Sequence, residues 1–319
     1  MNSAISRIRR LVMGVPDREV VRFSRGDSAT WAHLEAAVRA AVGGYHAVLD
    51  GSSFERLVPQ LDETPPELRG YAYEGAAMGL TGIDLFMPGS SRFRAYVEGP
   101  GRHHVYMAHI GAGEALARLR RRPEPFLLRL PDPTLRWLVL DGYGFHEGFF
   151  KPRRFVLDQS VPSHLSPFGR KVVDQGVGRS LWFTSGADVD AIATTIAGFA
   201  TQRHADLWLG VGVGCGYVGG VDRAGVVALR AAAHRHATRL GVGAAFVAKG
   251  RDRAGNVTDH TRSACEVLCG LGLAETVKLV DEAFVDVPDA PAAPAYGALQ
   301  DRIHAGLTPA PVSTTTVAP

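Results

Sequence analysis

Cysteine is scarce in this chain of 319 residues, with only Cys215, Cys265 and Cys269 present. An odd, small number excludes the disulfide framework of a small secreted domain and is typical of a reducing compartment. A structural zinc site needs four ligands, and no CxxC-type pair accompanies Cys265 and Cys269. We therefore expect buried structural thiols in a cytoplasmic protein.

Long apolar runs and a strong net charge are also absent from the sequence. No uncharged apolar run reaches the roughly 18 residues of a membrane helix. Pro16, Asp17 and Arg18 stand where an export signal would carry its apolar segment. The net charge of +3 is too small for a nucleic-acid footprint. We expect no transmembrane segment and no nucleic-acid partner.

What the chain does contain is apolar residues at helical spacing. In Ser28–Leu49, Trp31, Leu34 and Val38 recur three and four residues apart, and Ser28 suits an N-cap. Similar spacing predicts helices over Glu67–Phe86, His103–Arg121, Phe168–Phe183, Ala187–Phe199 and Arg223–Leu240. These patterns predict an all-α fold.

Small residues recur at intervals of mostly about 36 residues, the length of a helix pair in an α-solenoid. The blocks stand at Gly75, Gly111, Gly148, Gly176–Gly178, Gly214 and Gly250. A small residue in mid-helix lets a neighbouring helix approach closely, which offsets its cost of about 1 kcal/mol relative to alanine. We predict stacked antiparallel helix pairs with degenerate, α-solenoid-like repeats in one domain, residues 1–285. Residues 286–319 form a Pro-, Ala- and Thr-rich tail, and we expect its last part, Pro309–Pro319, to be disordered.

One glycine motif has a functional interpretation of its own. Gly214-Cys-Gly-Tyr-Val-Gly219 matches the GxGxxG pattern of a dinucleotide-binding loop. The acidic residue expected about 20 positions later is missing, however. A helix packed through its glycines explains the stretch without a ligand. A continuous helix over Leu207–Val218 would exclude a nucleotide-dependent reductase.

Six ionisable residues lie in or beside the small, apolar blocks, and burial there is costly unless they are paired. They are Glu74, His109, Glu114, His146, Glu147 and Asp174. One interpretation is ion pairs with Arg92, Arg136 or Arg179. Another is a cleft for acid–base catalysis. A third is an iron, manganese or zinc site, although the Glu-x-x-His di-iron spacing is absent. Nearby aromatic residues indicate either a core or a channel for a long apolar ligand: Tyr71, Tyr73, Tyr143, Phe145, Phe149, Phe150, Trp182 and Trp208.

Four sequence blocks, in the same order along the chain, are similar to those of one known family. They are Pro65–Met78, His104–Gly113, Asp141–Phe150 and Asp174–Trp182. Over about residues 8–285 the chain resembles the enediyne-biosynthesis family of the UnbL type. The resemblance implies a place in the gene cassette that makes the enediyne warhead, beside an iterative polyketide synthase and a thioesterase. The implied substrate is a linear polyene or a later warhead precursor, and no catalytic residue is carried over.

Together these observations predict an accessory enzyme that takes an apolar polyene into an aromatic cleft and desaturates or otherwise tailors it. The expected acid–base or metal-binding residues are Glu74, His109, His146, Glu147 and Asp174; the cofactor and the metal stay open. The alternative is a non-catalytic scaffold or carrier that holds the polyene or docks the polyketide synthase. Converging ionisable groups in the cleft would favour the enzyme, and a dry apolar groove would favour the carrier.

Overall fold

The computed structural model describes residues 3–26, 28–51, 53–87, 89–289 and 294–307. Helices make up 76% of the chain, and these residues contain no strand, so the predicted all-α fold is confirmed. None of the helices in these ranges is long and apolar enough to cross a membrane. The three cysteines are free and buried.

The α-helices are numbered in chain order. They are α1 (Ser3–Met13), α2 (Asp17–Val20), α3 (Ala29–Leu49), α4 (Phe54–Asp62), α5 (Pro66–Phe86), α6 (Arg92–Glu98), α7 (Val105–Arg118), α8 (Glu124–Leu127), α9 (Leu138–Phe150), α10 (Pro167–Thr184), α11 (Val189–Ala197), α12 (His204–Val218), α13 (Arg223–Ala232), α14 (Ala237–Ala254), α15 (Asp259–Ala264), α16 (Leu273–Phe284) and α17 (Ala295–Gly306). Two π-helical turns cover Arg153–Leu157 and Cys265–Cys269.

The helix ends follow from local chemistry. Ser28 caps α3 by accepting a hydrogen bond from the Trp31 backbone N–H, as its sequence predicted. Pro66 occupies the first turn of α5, where its missing N–H costs nothing. The continuous helix predicted over Arg223–Leu240 is wrong: His234 has a φ of 46° and separates α13 from α14. Alanine-rich periodicity did not reveal that break.

The long helices pack in chain order, each against the next: α3, α5, α7, α9, α10, α12 and α14. Along α9, Gly144 faces Val173 of α10, and Gly148 faces Val177 and Ser180. Contacts that advance together along both helices mean that the two run parallel. The same order holds between α3 and α5 and between α12 and α14. Shorter helices return the chain to the starting end, except between α9 and α10, where the π-helical turn Arg153–Leu157 and a loop do so.

A Gly-x-Gly unit makes these close contacts possible. Residues two apart on a helix point about 200° from each other, so the two glycines face opposite neighbours. In α9, a Cβ on Gly142 would clash with the Ile110 carbonyl of α7, and one on Gly144 with the Val173 carbonyl of α10. Units of the same form lie at Gly111–Gly113, Gly176–Gly178, Gly210–Gly212 and Gly241–Gly243. Glycine therefore stands where backbones touch on both sides of a helix.

The spacing of these units differs from the predicted repeat. The first glycines of the contact units, Gly111, Gly142, Gly176, Gly210 and Gly241, are 31, 34, 34 and 31 residues apart. The predicted repeat instead included Gly148 and Gly214, which lie one or two helical turns beyond the contact units of α9 and α12. Gly148 faces the Ser180 side chain, and Gly214 faces the Trp182 side chain. The α-solenoid-like stacking of antiparallel pairs stays a prediction.

The row of helices curves back on itself. The Thr30 hydroxyl of α3 donates to the Gly220 carbonyl at 3.2 Å, and the His33 ring bonds the Val218 carbonyl. The buried Arg251 side chain of α14 donates to the Glu67 carbonyl at 3.0 Å. The start of α3 therefore meets the end of α12, and α14 meets the start of α5, so that the row closes around a common interior.

The segment after Val285 contributes to the same body. Helix α17 packs on α14 and α16. Its buried Tyr296 hydroxyl donates to Gln175 at 3.1 Å. The predicted tail thus includes a packed helix beyond its proline-rich start, with the core residues Tyr296, Leu299 and Ile303 at helical spacing. The segment expected to be disordered, Pro309–Pro319, lies outside the described residues.

Candidate functional site

Four ionisable side chains from four successive long helices meet in the interior. The Arg179 Nε of α10 lies 2.9 Å from the Asp141 Oδ1 of α9, and its Nη1 lies 3.6 Å from the Glu74 Oε1 of α5. Glu114 of α7 is hydrogen-bonded to Glu74. All four side chains are buried. Two carboxyl groups therefore contact one guanidinium, and a third carboxyl group contacts Glu74, in a site that excludes bulk water.

The glycine contacts position this cluster. Glu74, Glu114, Asp141 and Arg179 are each adjacent in sequence to a contact glycine: Gly75, Gly113, Gly142 and Gly178. Each glycine lies where two helices touch, and the side chain of the residue beside it points into the space that the curved row encloses. The packing units thus also fix the polar centre.

Glu114 and Glu74 form a carboxyl pair that shares a proton. Burial and the neighbouring Glu74 raise the pKa of Glu114 well above its ordinary value. Burial also raises the pKa of Glu74, to about 7, although Arg179 opposes the change. Glu114 is therefore the proton donor and Glu74 the acceptor in their hydrogen bond at neutral pH. Such a pair holds an acid and a base side by side.

Further hydrogen bonds hold the Asp141 side chain in place. The Gln175 amide donates to the Asp141 carboxylate at 2.8 Å, and Gln175 in turn bonds Tyr296 and Gln300 of α17. The Arg179 guanidinium also stacks 4.1 Å from the Phe145 ring centre. Arg179 is thus held by the charge of a carboxylate and by an aromatic face, while its Nε and Nη2 have no hydrogen-bond partner among the described residues.

An apolar cavity ends at the carboxyl pair, and we call it the inner cavity. It has a volume of about 50 Å³, room for a few water molecules. Its walls are aromatic and aliphatic, and apart from Tyr45 and Tyr71 the ionisable side chains that line it are the carboxyl pair and Arg179. The lining comprises Val15, Val38, Ala41, Val42, Tyr45, Tyr71, Glu74, Gly75, Met78, Glu114, Phe145, Phe149, Phe150, Arg179 and Phe183.

A larger, open cavity of about 1030 Å³ adjoins it, and we call it the outer groove. The two spaces share Tyr45, Phe149 and Phe150 as a wall. Six cationic and two acidic side chains line the groove: Arg22, Arg25, Arg118, Arg120, Lys151 and Arg153, with Glu19 and Asp188. A molecule in the groove is separated from the carboxyl pair only by aromatic side chains.

The structure does not bring the five predicted site residues together. Glu74 alone belongs to the carboxyl pair. Glu147 accepts hydrogen bonds from Lys151 at 2.7 and 2.9 Å, and its Oε1 lies 3.9 Å from the His146 ring. Asp174 pairs with Arg203 of the turn before α12 at 2.6 Å. These contacts are separate from the inner cavity.

The two histidines have different surroundings. The His109 ring bonds its own helix at the Val105 carbonyl and packs edge-on against Phe93 of α6. His146 lines the outer groove, and neither ring nitrogen has a partner among the described residues. Burial lowers the pKa of His146 to about 3, so the ring is neutral. The ionisable side chains that do meet are therefore Glu74, Glu114, Asp141 and Arg179, and not the five predicted site residues.

Two other interpretations can be compared with the coordinates. Helix α12 runs unbroken from His204 to Val218, so Gly214–Gly219 forms no dinucleotide loop and the reductase hypothesis is wrong. In the described ranges, no three His, Cys, Asp or Glu side chains lie close enough to hold a metal ion.

Comparison with known proteins gives one match. The sequence model of a family described as "Protein of unknown function (DUF1702)" matches residues 4–307. The chain belongs to the DUF1702 family. The match ends where α17 ends, so this family includes the helix beyond Val285. Neither a search of curated proteins nor one of solved structures finds a match.

The carboxyl pair makes a pH-dependent contribution to stability. An unfolded glutamic acid titrates near about 4.3, whereas burial raises the pKa of both Glu114 and Glu74, the latter to about 7. The folded state therefore binds protons more strongly, and this contribution is lost as the pH rises through the folded pKa. We expect the stability of the wild type, relative to Glu114→Gln, to fall between about pH 5 and pH 8.

Urea denaturation of both proteins across this range measures the effect. Glu98→Gln is the control, because Glu98 is exposed and pairs only with Arg94 across one helical turn. A wild-type to Glu114→Gln difference that stays constant with pH would show that the pair holds no extra proton.

Proposed function

We propose that this protein is an accessory enzyme of enediyne polyketide warhead biosynthesis that transfers protons on a linear polyene or a later precursor. One observation supports this above all: a buried carboxyl pair lies at the end of an apolar, aromatic cavity that can hold a short segment of a chain, and the outer groove beyond the aromatic wall has room for the rest. Three of the four sequence blocks that resemble the enediyne family supply Glu74, Asp141 and Arg179. Free, buried cysteines agree with the cytoplasmic location proposed for it.

The chemistry that these residues can supply is proton transfer. Protonated Glu114 donates a proton to one carbon of a conjugated chain, forming a C–H bond. The Glu74 carboxylate removes a proton from another chain carbon, and the double bonds shift between the two positions. The proton then passes from Glu74 to Glu114 through their hydrogen bond, which restores the pair. The step isomerises the chain and needs no oxidant, unlike a desaturation.

The cavity walls suit such a step. The rings of Phe145, Phe149 and Phe183 line the cavity and pack against one another, with centroids 5.4 Å apart for Phe145 and Phe149. Aromatic faces attract positive charge, which develops on a polyene when it is protonated. Exclusion of water strengthens this attraction and protects a reactive intermediate.

The test is the product profile of the reconstituted pathway with Glu114→Gln. Glutamine keeps the size of the side chain but removes its transferable proton, so we expect polyene conversion to slow by about 100-fold. Glu98→Gln, on the exposed face of α6, is the matched control and should retain full conversion. Full conversion by Glu114→Gln in a folded protein would refute the acid–base role.

A carrier that holds the polyene or docks the polyketide synthase is the second candidate. The mostly apolar lining of the inner cavity favours it, because the carboxyl pair and Arg179 are its only ionisable groups among the described residues apart from Tyr45 and Tyr71. Under this alternative, Glu114→Gln leaves the pathway unaffected. Met78→Trp, which fills the cavity, then lowers the yield of every downstream product. Glu114→Gln therefore distinguishes the two candidates, whereas Met78→Trp tests whether the cavity is used at all.

A further inference from the structure

We infer that the outer groove binds the anionic end of an extended apolar ligand and directs its chain through the aromatic wall toward the carboxyl pair. The apolar nature of the ligand rests on the proposed function. The anionic end is new and is argued from the groove alone.

The first argument is the charge of the groove. Of its two acidic side chains, Glu19 already pairs with Arg118 at 3.5 Å. Arg22, Arg120 and Arg153 make no ion pair with any described residue. Three uncompensated guanidinium groups in one groove attract an anion and offer it paired N–H donors.

The second argument is the unsatisfied histidine. His146 is 3% exposed and lines the groove, yet both of its ring nitrogens lack a partner among the described residues. A buried polar group without a partner costs about 1–3 kcal/mol. A ligand oxygen that accepts a hydrogen bond from the ring would remove that cost.

The third argument is the apolar surface beside the charges. Val12 and Leu157 line the groove and are each 75% exposed. The wall behind them consists of Tyr45, Phe149 and Phe150. Phe149 is buried against neighbouring rings, whereas Phe150 is only half-buried, so Phe150 is the ring that an entering chain would displace. A free anion would use only the arginines, whereas a chain bearing a terminal anion would also cover this apolar surface.

A carboxylate and a phosphate monoester share the required chemistry, and the probes distinguish them. Parinaric acid, a fluorescent tetraene fatty acid, is titrated against its methyl ester. Dodecyl phosphate and inorganic phosphate are then used to displace it. We expect the acid to bind about tenfold more tightly than the ester, since a hydrogen bond to a charged group contributes this much. Stronger displacement by dodecyl phosphate would identify a phosphate end, and weak displacement a carboxylate end.

Arg120→Gly is the most informative variant for testing the groove. Arg120 has a φ of 53° at the end of α7, a conformation that favours glycine, so the substitution removes a groove cation and relieves backbone strain. We expect it to weaken binding of parinaric acid about tenfold and to leave the methyl ester unchanged. Arg153→Gln should act in the same direction.

Two controls match this variant. His234→Gly also replaces a residue with positive φ, 46°, outside the groove, and Arg262→Gln removes an exposed charge elsewhere. Neither should affect binding. Equal binding of acid and ester, unchanged binding by both groove variants, or equal displacement by inorganic phosphate would overturn the inference. Glu114→Gln keeps acid binding while losing conversion, so failure of the groove and failure of the proposed reaction are separable.

Discussion

Arg179→Met is expected to destabilise the protein by about 3–5 kcal/mol, because it leaves buried carboxylates without their counter-charge. Arg179 lies 2.9 Å from Asp141 and 3.6 Å from Glu74, and all three side chains are at most 3% exposed. Methionine roughly preserves the volume of the side chain, so lost packing contributes little. Urea or thermal denaturation at neutral pH measures the change.

A matched control separates burial from pairing. Arg94→Met removes an exposed arginine that pairs with Glu98 at 2.7 Å, and such surface pairs contribute only about 0–1 kcal/mol. Asp141→Asn combined with Arg179→Met should recover part of the lost stability, since it removes one uncompensated charge. An Arg179→Met protein as stable as the Arg94→Met protein would mean that the carboxyl groups beside Arg179 are not ionised.

Adjacent glycines in α3 are expected to respond to alanine in opposite directions. A Cβ on Gly44 would collide with the Ala72 carbonyl of α5, whereas nothing lies within 4 Å of a Cβ on Gly43. Gly44→Ala must therefore push two long helices apart, and we expect a loss of about 3 kcal/mol. Gly43→Ala removes glycine from an exposed helix position and should add about 0.5–1 kcal/mol.

The pair is its own control, because both variants make the same chemical change one residue apart. Denaturation midpoints measure the difference between them. Equal midpoints would contradict the close backbone contact between α3 and α5. A similar loss for Gly176→Ala, which faces the Asp141 carbonyl, would extend the conclusion along the row of helices.

Helix positions followed from the sequence because apolar spacing and caps are local properties. Ser28 and Pro66 mark helix starts within a residue or two of the predicted ones. Periodicity did not reveal the break at His234, because the residues on both sides of it have good helix propensity. Among the contact glycines, Gly75, Gly111 and Gly176–Gly178 were predicted. Gly142 was missed, since Gly148 looks the same as Gly142 until a neighbouring helix is placed.

The site was only partly predictable for a geometric reason. His109 and Glu114 are five residues apart, as are Asp141 and His146, and Asp174 and Arg179. Residues five apart point about 140° from each other on a helix, so only one of each pair can face the interior. The prediction chose the histidines and Asp174 for their residue type. In each of the three pairs, however, the residue that faces the interior is the one beside a contact glycine. That adjacency is visible in the sequence and would have selected Glu114, Asp141 and Arg179.

The closure of the helical row also bears on how the chain is made. Thr30 bonds a residue 190 positions later in the sequence, and Asn256 bonds Pro66 across the same separation. During synthesis the chain emerges N-terminal end first, so α3 and α5 leave the ribosome long before their partners exist. One side of each stays uncovered until most of the protein has been translated. Truncation before α12 would therefore expose that side permanently, instead of yielding a shorter protein that still folds.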